Sequence, residues 1–494
     1  MAAETDQSYL RHPDRFFVGG RWLEPSSTAS IEVRDSTSEE VFLRVAEARN
    51  EDVDRAVDAA RAAFDEGPWP RMSHAERAQW LVRIAEAWPS KVEALAETWT
   101  RESGVIQVLS KRAVHAPAGT FKTHAGYAET FDWQEKHVSQ DGKRSLLVRE
   151  PVGVVGAIIP WNAPNSLVAF KTAAALISGC TVIVKGSPEA PSAPYLLAEI
   201  CEEIGLPPGV YNALTADREV SERLVRHPGV DKISFTGSTA AGRRIASICG
   251  DRIARCTLEL GGKSPAIILD DYDLDAAATS LAASALALNG QVCSSLTRLI
   301  VSESRHDDFV DALVSRFEKV RVGDPFEEST QMGPLAMERQ RDTVERYFAL
   351  GRAEGVRIAT GGQRPAHLPQ GYFVEPTIFA GVDNDRTVAR EEIFGPVLSV
   401  LPARDEEHAI AIANDTNYGL NASVFTHDPE RAYAVGRQIR AGTVGHNAFK
   451  TDFSIAFGGF KQSGIGREGG TEGLLPYLET KTMIFDEPGT KPVP

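Results

Sequence analysis

Cysteine is scarce in this sequence, and its distribution argues against a disulfide or metal framework. The five cysteines, Cys180, Cys201, Cys249, Cys256 and Cys293, are scattered, odd in number and without the spacing typical of zinc ligands. We therefore predict free thiols, no metal ion and a reducing compartment, the cytoplasm.

Long apolar runs are also missing. Residues 152–160 and 167–184 are the most apolar stretches, both are short, and Lys171 interrupts the second. Neither is long enough to span a bilayer. The polar, acidic start at residues 1–9 lacks the basic and apolar run of a signal peptide. We expect a cytoplasmic protein without a membrane partner.

Positive charge is in deficit, which argues against nucleic acid as a partner. The 494 residues carry 53 Lys+Arg against 68 Asp+Glu, a net charge of −15, and no basic block stands out. Low-complexity segments and internal repeats are absent as well. The hydrophobic fraction of 42% is typical of globular proteins. This length predicts two domains, with room for a small appendage.

Alternating strand and helix patterns predict an α/β fold. Residues 154–159, 181–184, 232–235 and 257–260 resemble strands, and residues 165–178, 193–204 and 238–249 resemble helices. Such alternation predicts a parallel sheet with helices on both faces and ligands at the carboxyl ends of its strands. A second alternating block covers residues 264–445, beginning with the apolar run 265–269.

The flanking segments give simpler signals. Ser73 and Glu76 have capping-box spacing before an apolar periodic run, so the first third is predicted to be helical, followed by a hairpin. The alternating residues 144–150 suit a strand on a protruding arm. The acidic end at residues 486–494 suits a tail that is free or lies on a neighbouring subunit.

Cys293 is the candidate nucleophile. A cysteine is more often a small buried hydrophobe than a reactive thiol. Here the segment Asn289-Gly290-Gln291-Val292-Cys293-Ser294 suits an irregular turn, where a nearby helix end would lower the pKa of the thiol. The residues alone leave both interpretations open.

Glu259 and Asn162 are the candidate base and oxyanion donor. Glu259 ends an apolar strand, where partial burial would raise its pKa and let it activate water; a solvated turn carboxylate is the alternative. Asn162 follows the strand 154–159 between two prolines. It is either a turn residue or an amide donor beside the backbone N–H of Cys293.

Two features suggest a dinucleotide cofactor. Lys185 closes the strand 181–184, and Gly237-Ser238 opens a helix whose N-terminus suits a phosphate. The G-x-G-x-x-G fingerprint is absent, and Ala216-Asp217-Arg218-Glu219 stands where a glycine-rich loop is sought.

Taken together, these segments resemble the aldehyde dehydrogenase superfamily, of the non-acylating NAD(P)-dependent type, along nearly the whole chain. The matching segments, in family order, are Pro160-Trp161-Asn162, Lys185, Phe235-Thr236-Gly237-Ser238, Glu259-Leu260-Gly261-Gly262-Lys263, Gly290-Gln291-Val292-Cys293, Gly333-Pro334, Glu391-Glu392-Ile393-Phe394-Gly395-Pro396, Asn447 and Phe457-Gly458-Gly459-Phe460-Lys461-Gln462-Ser463-Gly464. Each is weak alone, but the ordered set is specific.

The resemblance implies a three-part architecture. A Rossmann-like, doubly wound NAD-binding domain would comprise residues 1–130 and 149–261, and an α/β catalytic domain residues 262–470. A small β bridging arm, residues 131–148 and 471–494, would mediate oligomerisation. A homodimer or homotetramer is implied.

The resemblance also implies residue roles. Cys293 would be the nucleophile that forms a thiohemiacetal and then a thioester, with Glu259 activating the hydrolytic water and Asn162 stabilising the oxyanion. Lys171 and Glu468 would relay protons. Lys185 would contact the adenosine ribose, Ser238 the pyrophosphate, Glu392 the nicotinamide ribose and Phe394 the nicotinamide end. The remaining cofactor-binding positions are Ile158, Pro160, Trp161, Gly237 and Leu260.

The substrate tunnel implied by the resemblance is apolar. Its positions are Ala163, Leu167, Phe170, Ala287, Val292, Ser294, Phe453 and Phe457. None is charged and several are small, which favours a medium-sized or aromatic apolar aldehyde, although the alanines would equally suit plain core packing.

One departure from the family concerns cofactor preference. Many NAD-preferring members carry a glutamate where this chain has Pro188, and Glu189 comes one residue later. We expect NAD to be preferred, because no arginine is evident near Lys185 to hold a 2′-phosphate. The preference should be loose, so NADP use is possible.

Two alternatives remain from the sequence. One is a CoA-acylating dehydrogenase, which does not need a base for water and is therefore disfavoured by Glu259. The other is a catalytically silent binding or structural protein on the same scaffold.

Overall fold

The computed structural model of the chain describes residues 9–489. The expectations for the first eight residues and for residues 490–494 therefore lie outside the described part. Within residues 9–489, no helix is long and apolar enough to cross a membrane.

Two small hairpins and then a run of helices form the N-terminal part. The strands are β1 Phe16–Val18, β2 Arg21–Leu23, β3 Ser30–Arg34 and β4 Val41–Ala46. The helices are α1 Asn50–Asp65, α2 His74–Ala87, α3 Val92–Ser103, α4 Gln107–Ala113 and α5 Ala116–Thr130. Ser73 and Glu76 form the predicted capping box of α2. The four strands were missed, because such short runs carry too little alternation to be detected.

The middle of the chain follows the predicted alternation, except that β9 and α8 were not predicted. Its elements are β5 Gln134–Val138, β6 Lys143–Pro151, β7 Val154–Ile158, α6 Pro164–Ser178, β8 Thr181–Gly186, α7 Ser192–Glu203, β9 Tyr211–Thr215, α8 Arg218–Arg226, β10 Lys232–Thr236, α9 Thr239–Asp251 and β11 Arg255–Glu259. Pro164 lies in the first turn of α6, where it has no N–H to lose, and Gly179 ends that helix in the left-handed conformation.

The remaining elements form the second alternating block and the C-terminal strand. They are β12 Ser264–Ile268, α10 Leu274–Leu286, β13 Leu296–Ser302, α11 His306–Phe317, α12 Glu338–Ala353, β14 Arg357–Thr360, β15 Thr377–Ala380, α13 Thr387–Arg390, β16 Val397–Ala403, α14 Glu406–Asn414, β17 Asn421–Phe425, α15 Pro429–Gly436, β18 Thr443–His446, β19 Gly464–Ile465, α16 Gly470–Leu474 and β20 Leu478–Pro488.

The first sheet has the order β19-β11-β10-β7-β8-β9-β1-β2. Its five central strands, β11 to β9 in that order, are parallel, whereas β19, β1 and β2 are antiparallel additions at the two ends. The chain runs outward from β7 through β8 to β9 and then returns to β10 on the other side of β7. Strand order therefore reverses between β7 and β10, and ligands bind at the carboxyl side of such a reversal.

The second sheet has the order β14-β15-β16-β13-β12-β17-β18, and all of its neighbours except β14 and β15 pair in parallel. A third sheet, β20-β6-β5, is antiparallel and contains the strand predicted at residues 144–150.

The fold class predicted from the sequence, two α/β sheets with a small β arm, is confirmed. The exact domain boundaries stay a prediction, and β19, from the segment assigned to the catalytic domain, pairs with β11 of the first sheet.

Both large sheets are apolar on both faces. In β7, Val155 and Ala157 pack into one core cluster, while Val154 and Ile158 pack into another. In β12, Ile267 faces one cluster, and Ala266 and Ile268 face a second. Alternate residues of a strand point to opposite faces, so helices must cover each sheet on two sides, as in doubly wound folds.

Candidate active site

The predicted site residues gather where the first sheet faces the second. Asn162 lies just beyond β7, Ser238 just beyond β10, and Glu259 ends β11. Cys293 comes shortly before β13, at the amino end of a strand in the second sheet. The chain passes from β11 to β12 through residues 260–263. An added Cβ on Gly262 would lie 2.3 Å from the backbone oxygen of Cys293, so only glycine permits this approach.

A strained turn presents Cys293. The 3₁₀ segment Ala287–Gly290 contains Leu288 and Asn289 with φ of 48° and 57°, in the left-handed region. The Asn289 side chain holds this conformation: its Nδ2 donates to the carbonyls of Gly104 and Pro334, each at 2.8 Å. Its Oδ1 accepts the Gly333 N–H at 3.0 Å. Three hydrogen bonds offset strain of about 1–3 kcal/mol per residue. Sequence reasoning used Asn289 only as a turn signal and missed this support.

Gln291 ties the same turn to its surroundings and to the oxyanion candidate. Its side chain donates to the Ser103 carbonyl at 3.2 Å and accepts the Ala336 N–H at 2.9 Å. Its backbone carbonyl accepts a hydrogen bond from Nδ2 of Asn162 at 2.9 Å. The predicted amide donor is thereby held against the turn that carries Cys293.

Helix α3 fixes the loop that carries Asn162 from behind. The indole N–H of Trp99 donates to the Asn162 carbonyl at 3.0 Å, and Oγ of Ser103 donates to the Trp161 carbonyl at 2.7 Å. Helix α6 begins just after this loop, so its positive N-terminal end lies close to Asn162. Neither Trp99 nor Ser103 belongs to a recognisable sequence motif.

The Cys293 thiol does not have the lowered pKa that we expected. Burial raises its pKa to about 12, and the carboxyl groups of Glu392 and Glu259 add to the rise. The N–H groups of Ser294 and Cys293 itself lower the pKa but do not compensate. The expectation of a thiolate stabilised by a helix end is therefore wrong, because burial and two neighbouring carboxyl groups disfavour the thiolate.

Glu259 has the predicted raised pKa. Both carboxyl oxygens are buried and have no hydrogen-bond partner among residues 9–489. Burial raises the pKa well above its ordinary value, the nearby Glu468 adds to this, and Lys171 and Arg467 oppose it. A raised pKa makes this group, once ionised, a stronger base for water than an exposed carboxylate.

Lys171 and Glu468 lie together next to Glu259. The ammonium group of Lys171 donates to the Glu468 carboxylate and, at 3.2 Å, to Oγ of Ser234. The Tyr477 hydroxyl donates to the same Ser234 oxygen at 3.1 Å. Glu468 also exchanges two backbone hydrogen bonds of 2.7 Å with Phe457. The structure therefore joins these groups in one buried polar chain that begins beside the candidate base.

The carboxyl end of β10 offers donors for a dinucleotide phosphate. Ser238 caps α9 through a hydrogen bond from the Ala241 N–H, and Thr236 Oγ1 is buried without a partner in the described part of the chain. Free N–H groups in the first turn of a helix and an unsatisfied hydroxyl suit an anion. An added Cβ on Gly237 would lie 2.5 Å from the Phe235 ring, so a larger residue here would have to displace that ring. The residues present fit the diphosphate of a nicotinamide cofactor.

Glu392 and Phe394 lie beside the loops that carry Gly262 and Trp161. Burial raises the Glu392 pKa to about 7, although the Gly262 N–H, 3.1 Å from its Oε1, opposes this rise. Phe394 has a left-handed φ of 59°, and its ring meets the Trp161 ring edge-on at 5.3 Å. Nε2 of Gln340 donates to the Phe394 carbonyl at 2.8 Å and holds this turn in place. Gln340 was not predicted.

Lys185 lies at the end of β8 with two carboxylates near it. Burial lowers its pKa to about 8, and Glu189 and Asp217 partly offset this. Glu189 accepts a hydrogen bond from Oγ of Ser187 and forms a 2.9 Å ion pair with Arg339 at the start of α12. The sequence shows no arginine near Lys185. The fold, however, brings Arg339 from far along the chain into contact with Glu189.

The aromatic residues predicted for the tunnel form one stack. The Phe170 and Phe453 rings lie 4.4 Å apart, and the Phe453 and Phe457 rings 4.3 Å apart, with interplanar angles of 17° and 20°. The other predicted tunnel positions are partly buried, namely Ala163, Leu167, Ala287 and Val292, whereas Ser294 is only 3% exposed.

The remaining predicted positions contribute mainly to the fold. Ile158 ends β7 in the core, Pro160 precedes the Trp161 turn, and Leu260 packs tightly against Gly242 of α9. Both side-chain amide atoms of Asn447 bond to the backbone of Thr426 and so join the ends of β17 and β18.

All five cysteines are free. Within residues 9–489, no cluster of His, Cys, Asp and Glu could hold a metal ion.

Comparisons with known proteins identify the family. The aldehyde dehydrogenase family model matches residues 22–483. The chain is 44% identical to geranial dehydrogenase of Castellaniella defragrans, over 95% of this chain and 98% of that protein. It is 38% identical to a chloroplastic betaine aldehyde dehydrogenase of Amaranthus hypochondriacus, over 98% of each.

A solved relative matches in structure as well. The Mycobacterium tuberculosis aldehyde dehydrogenase complexed with NAD+ superposes with a TM-score of 0.94 at 41% identity, covering 97% of this chain and 99% of that one. These matches confirm the resemblance seen in the sequence. The chain belongs to the aldehyde dehydrogenase family and is an NAD(P)-dependent oxidoreductase that converts an aldehyde to the corresponding carboxylic acid.

Proposed function

We propose that this enzyme oxidises apolar, medium-sized or aromatic aldehydes with NAD, through a thioester on Cys293. One observation carries the proposal: the turn presenting Cys293 is hydrogen-bonded to the Asn162 amide, and the buried carboxyl group of Glu259 lies close enough to Cys293 to raise the pKa of its thiol. Nucleophile, oxyanion donor and base thus share one enclosed site.

Sγ of Cys293 adds to the aldehyde carbon, and its proton leaves to a base in the cleft. The negative charge on the carbonyl oxygen is stabilised by the Asn162 amide and the Cys293 N–H, with the N-terminus of α6 adding a favourable potential. A nicotinamide cofactor held in this site would supply the acceptor for the hydride that leaves this tetrahedral carbon. The carbonyl is then restored as a thioester on Cys293.

Hydrolysis of the thioester requires a proton acceptor. Glu259 in its ionised form removes a proton from water, the resulting hydroxide attacks the thioester carbon, and the acid leaves as Cys293 regains its thiol. Lys171 and Arg467 favour the ionised carboxylate, and the chain of Lys171, Glu468 and Ser234 offers a route for the proton away from Glu259.

The cofactor is assigned to the groove between β10 and the turn at Phe394. Lys185 would hold the adenosine ribose, and Ser238 with the N–H groups opening α9 the diphosphate. Glu392 would bind the nicotinamide ribose beside the Trp161 and Phe394 rings. The unpartnered hydroxyl of Thr236 and the tight glycine turn after it support this placement.

The stacked rings of Phe170, Phe453 and Phe457 support an apolar substrate. A flat aromatic wall suits a planar or unsaturated hydrocarbon chain, and each buried methylene should contribute about 0.8 kcal/mol. Geranial dehydrogenase, a relative of this chain, is named for an aldehyde of that kind. The betaine aldehyde dehydrogenase relative is named for a cationic aldehyde, which phenylalanine faces also attract.

A panel of aldehydes tests the substrate class. We expect kcat/KM to be higher for geranial, benzaldehyde and octanal than for acetaldehyde or succinic semialdehyde. Ala287→Phe should penalise the bulky aldehydes more than acetaldehyde. A clear preference of the wild type for betaine aldehyde or succinic semialdehyde would contradict the apolar assignment.

Omitting coenzyme A from the same assay separates the two alternatives. NADH formation without CoA identifies the hydrolytic enzyme that Glu259 implies. Strict dependence on CoA would identify the acylating type, and no NADH with any aldehyde would favour a silent scaffold.

We further propose a homodimer or homotetramer that forms through the third sheet. Within residues 9–489, its outer strands β20 and β5 each present an unpaired edge, and β20 exposes Met483 and Ile484, which are 39% and 63% exposed. Exposed edges and apolar side chains of this kind favour association.

A further inference from the structure

We propose that Cys249 and Cys256 form a dithiol site that a hydroperoxide oxidises to an intramolecular disulfide. The site lies at the amino end of β11, opposite to the end that carries Glu259, and it depends neither on the substrate nor on the cofactor. Its reactant is a two-electron oxidant, of which hydrogen peroxide is the simplest member.

The fold places the two thiols against each other. Cys249 lies in the last turn of α9, Cys256 is the second residue of β11, and the two side chains share a hydrogen bond. The chain turns back sharply between them: the Ala254 N–H donates to the Cys249 carbonyl at 2.9 Å, and Ile253 has a left-handed φ of 55°. Both side chains therefore lie on the same side of the first sheet, where they belong to one core cluster.

A disulfide between these thiols needs only a local adjustment. Its Cβ atoms must lie about 3.5–4.5 Å apart, a separation close to that of two thiols in hydrogen-bond contact. Cys249 belongs to the end of a helix, where the backbone frays and adjusts easily. Within residues 9–489, the neighbouring strand β19 pairs with Leu258 and Glu259 but not with Cys256, so this part of β11 is held by β10 alone.

Access and charge favour Cys256 as the thiol that reacts first. Its side chain is partly exposed, whereas Cys249 is 1% exposed. The hydrogen bond from the Cys249 thiol lowers the pKa of Cys256, burial opposes this effect, and the Lys232 ammonium group lowers the pKa further. The thiolate is the form that attacks an oxidant, so Cys256 is activated by its own partner.

The other three cysteines lack this activation. Burial raises the pKa values of Cys180 and Cys201, both of which are enclosed in the core. Burial and two carboxyl groups raise the pKa of Cys293 to about 12. A peroxide at neutral pH should therefore react at Cys256 before it reacts at any of them.

The oxidation conserves atoms and electrons. The Cys256 thiolate attacks one oxygen of hydrogen peroxide, the O–O bond breaks, and hydroxide leaves and takes up the thiol proton as water. The Cys249 sulfur then attacks the sulfenic acid on Cys256, loses its proton as the S–S bond forms, and releases the sulfenic oxygen as a second water. Two thiols thus lose two electrons and two protons, and one peroxide is reduced to two water molecules.

Peptide mapping of the oxidised full chain tests the proposal. The cofactor-free enzyme is treated with hydrogen peroxide at neutral pH, free thiols are blocked with N-ethylmaleimide, and the protein is digested with trypsin without reduction. Arg252 and Arg255 lie between the two cysteines, so trypsin separates residues 245–252 from residues 256–263, and only a disulfide joins them. We expect this linked peptide, the loss of two of the five free thiols, and full reversal by dithiothreitol.

Variants separate the roles of the two thiols. Cys249→Ser should prevent the disulfide but leave a sulfenic acid on Cys256, which dimedone traps for mass spectrometry. Cys256→Ser should abolish both products. Cys293→Ala is the control and should form the linked peptide at the wild-type rate. In the wild type that rate should exceed the rate of Cys293 oxidation about tenfold, because the Cys293 thiol is mostly protonated at neutral pH.

Phenylarsine oxide gives a second measurement on the unaltered chain, which does not depend on the folding of a variant. Trivalent arsenic binds two adjacent thiols at once with loss of water, so one equivalent should protect both Cys249 and Cys256 from N-ethylmaleimide. A sulfenic acid on Cys256 that persists in the wild type without a linked peptide would show that the two sulfur atoms do not meet, and the proposal would be overturned. Oxidation of Cys293 ahead of Cys256 would overturn it as well.

Discussion

At the scale of single residues, the proposed chemistry depends on two groups whose neutral forms the fold favours. Burial raises the pKa values of the Cys293 thiol and the Glu259 carboxyl group, and neighbouring carboxylates raise both further. Each must lose a proton to react. The environment that makes this costly also excludes water, which strengthens the Asn162 interaction with an oxyanion.

Replacing the thiol tests the nucleophile. Cys293→Ala should lower kcat by at least about 1,000-fold, because no other group can form the covalent intermediate. NAD binding and thermal stability should change little. Cys256→Ala is the matched control, since Cys256 is free and partly buried in β11 but outside the site. NADH production at the wild-type rate by Cys293→Ala would rule out the covalent mechanism.

Replacing the base should separate the two half-reactions. Glu259→Gln should still transfer hydride once but hydrolyse the thioester slowly, so an acyl group should accumulate on Cys293. Mass spectrometry after treatment with aldehyde and NAD measures the adduct. Normal turnover without an adduct would show that another group activates the water.

The raised pKa of Cys293 predicts a pH dependence. The thiolate is the reactive form, so below a pKa of about 12 its fraction should rise about tenfold per pH unit. Alkylation of Cys293 by iodoacetamide in the cofactor-free enzyme should therefore accelerate from pH 7 to pH 9 without reaching a plateau, within the limits of stability.

Variants that remove a negative charge near Cys293 test which carboxylate raises the pKa of its thiol. Glu392→Gln should speed alkylation at pH 8, because the Glu392 carboxylate is the largest charged contribution to the raised pKa. Glu391→Gln should not, since the exposed Glu391 bonds to Tyr347 instead. A plateau below pH 9 in the wild type would mean that the thiol ionises more easily than its surroundings imply.

At the scale of elements, helix α3 positions the oxyanion donor without touching the substrate. The Trp99 indole bonds to the carbonyl of Asn162, and Ser103 bonds to the carbonyl of Trp161. The two hydrogen bonds fix the backbone of the loop and therefore the direction of the Asn162 amide. A small displacement of such a donor lowers the rate of the chemical step strongly.

Trp99→Phe should lower kcat about ten- to a hundredfold while changing KM for NAD little, because the loop loses its anchor. Trp88→Phe is a matched control, since the Trp88 indole makes an equivalent buried bond of 2.8 Å to the Val114 carbonyl. Both variants should lose about 1–3 kcal/mol of stability by calorimetry or denaturant titration, but only Trp99→Phe should lose rate. Equal kcat losses in both would show a general effect on stability.

At the scale of the whole molecule, association should depend on the third sheet. Ile484→Asp places a charge on the exposed strand β20 and should shift the mass measured by light scattering towards the monomer. Ile253→Asp is the control, because Ile253 is 80% exposed but precedes β11 in the first sheet. If both variants keep the wild-type mass, the subunits associate through another surface.

Much of the fold follows from local pattern. The apolar strands β7, β8 and β10 and the helices α6 and α7 were predicted within a few residues, because buried parallel strands and amphipathic helices have strong local periodicity. Strand β9 and helix α8 were missed. The short strands β1 to β4 were missed. The antiparallel pairing of β1 with β9 joins positions almost two hundred residues apart, which no local pattern encodes.

The sequence by itself determined which side chains are available for chemistry, since Cys293, Glu259 and Asn162 each stand in a recognisable local motif. Only the tertiary structure decided their environment. Desolvation of a thiol or a carboxyl group depends on what packs around it from distant segments, so the raised pKa of Cys293 was not accessible from its turn alone. The contact of Arg339 with Glu189 likewise exists because α12 reaches across to the end of β8.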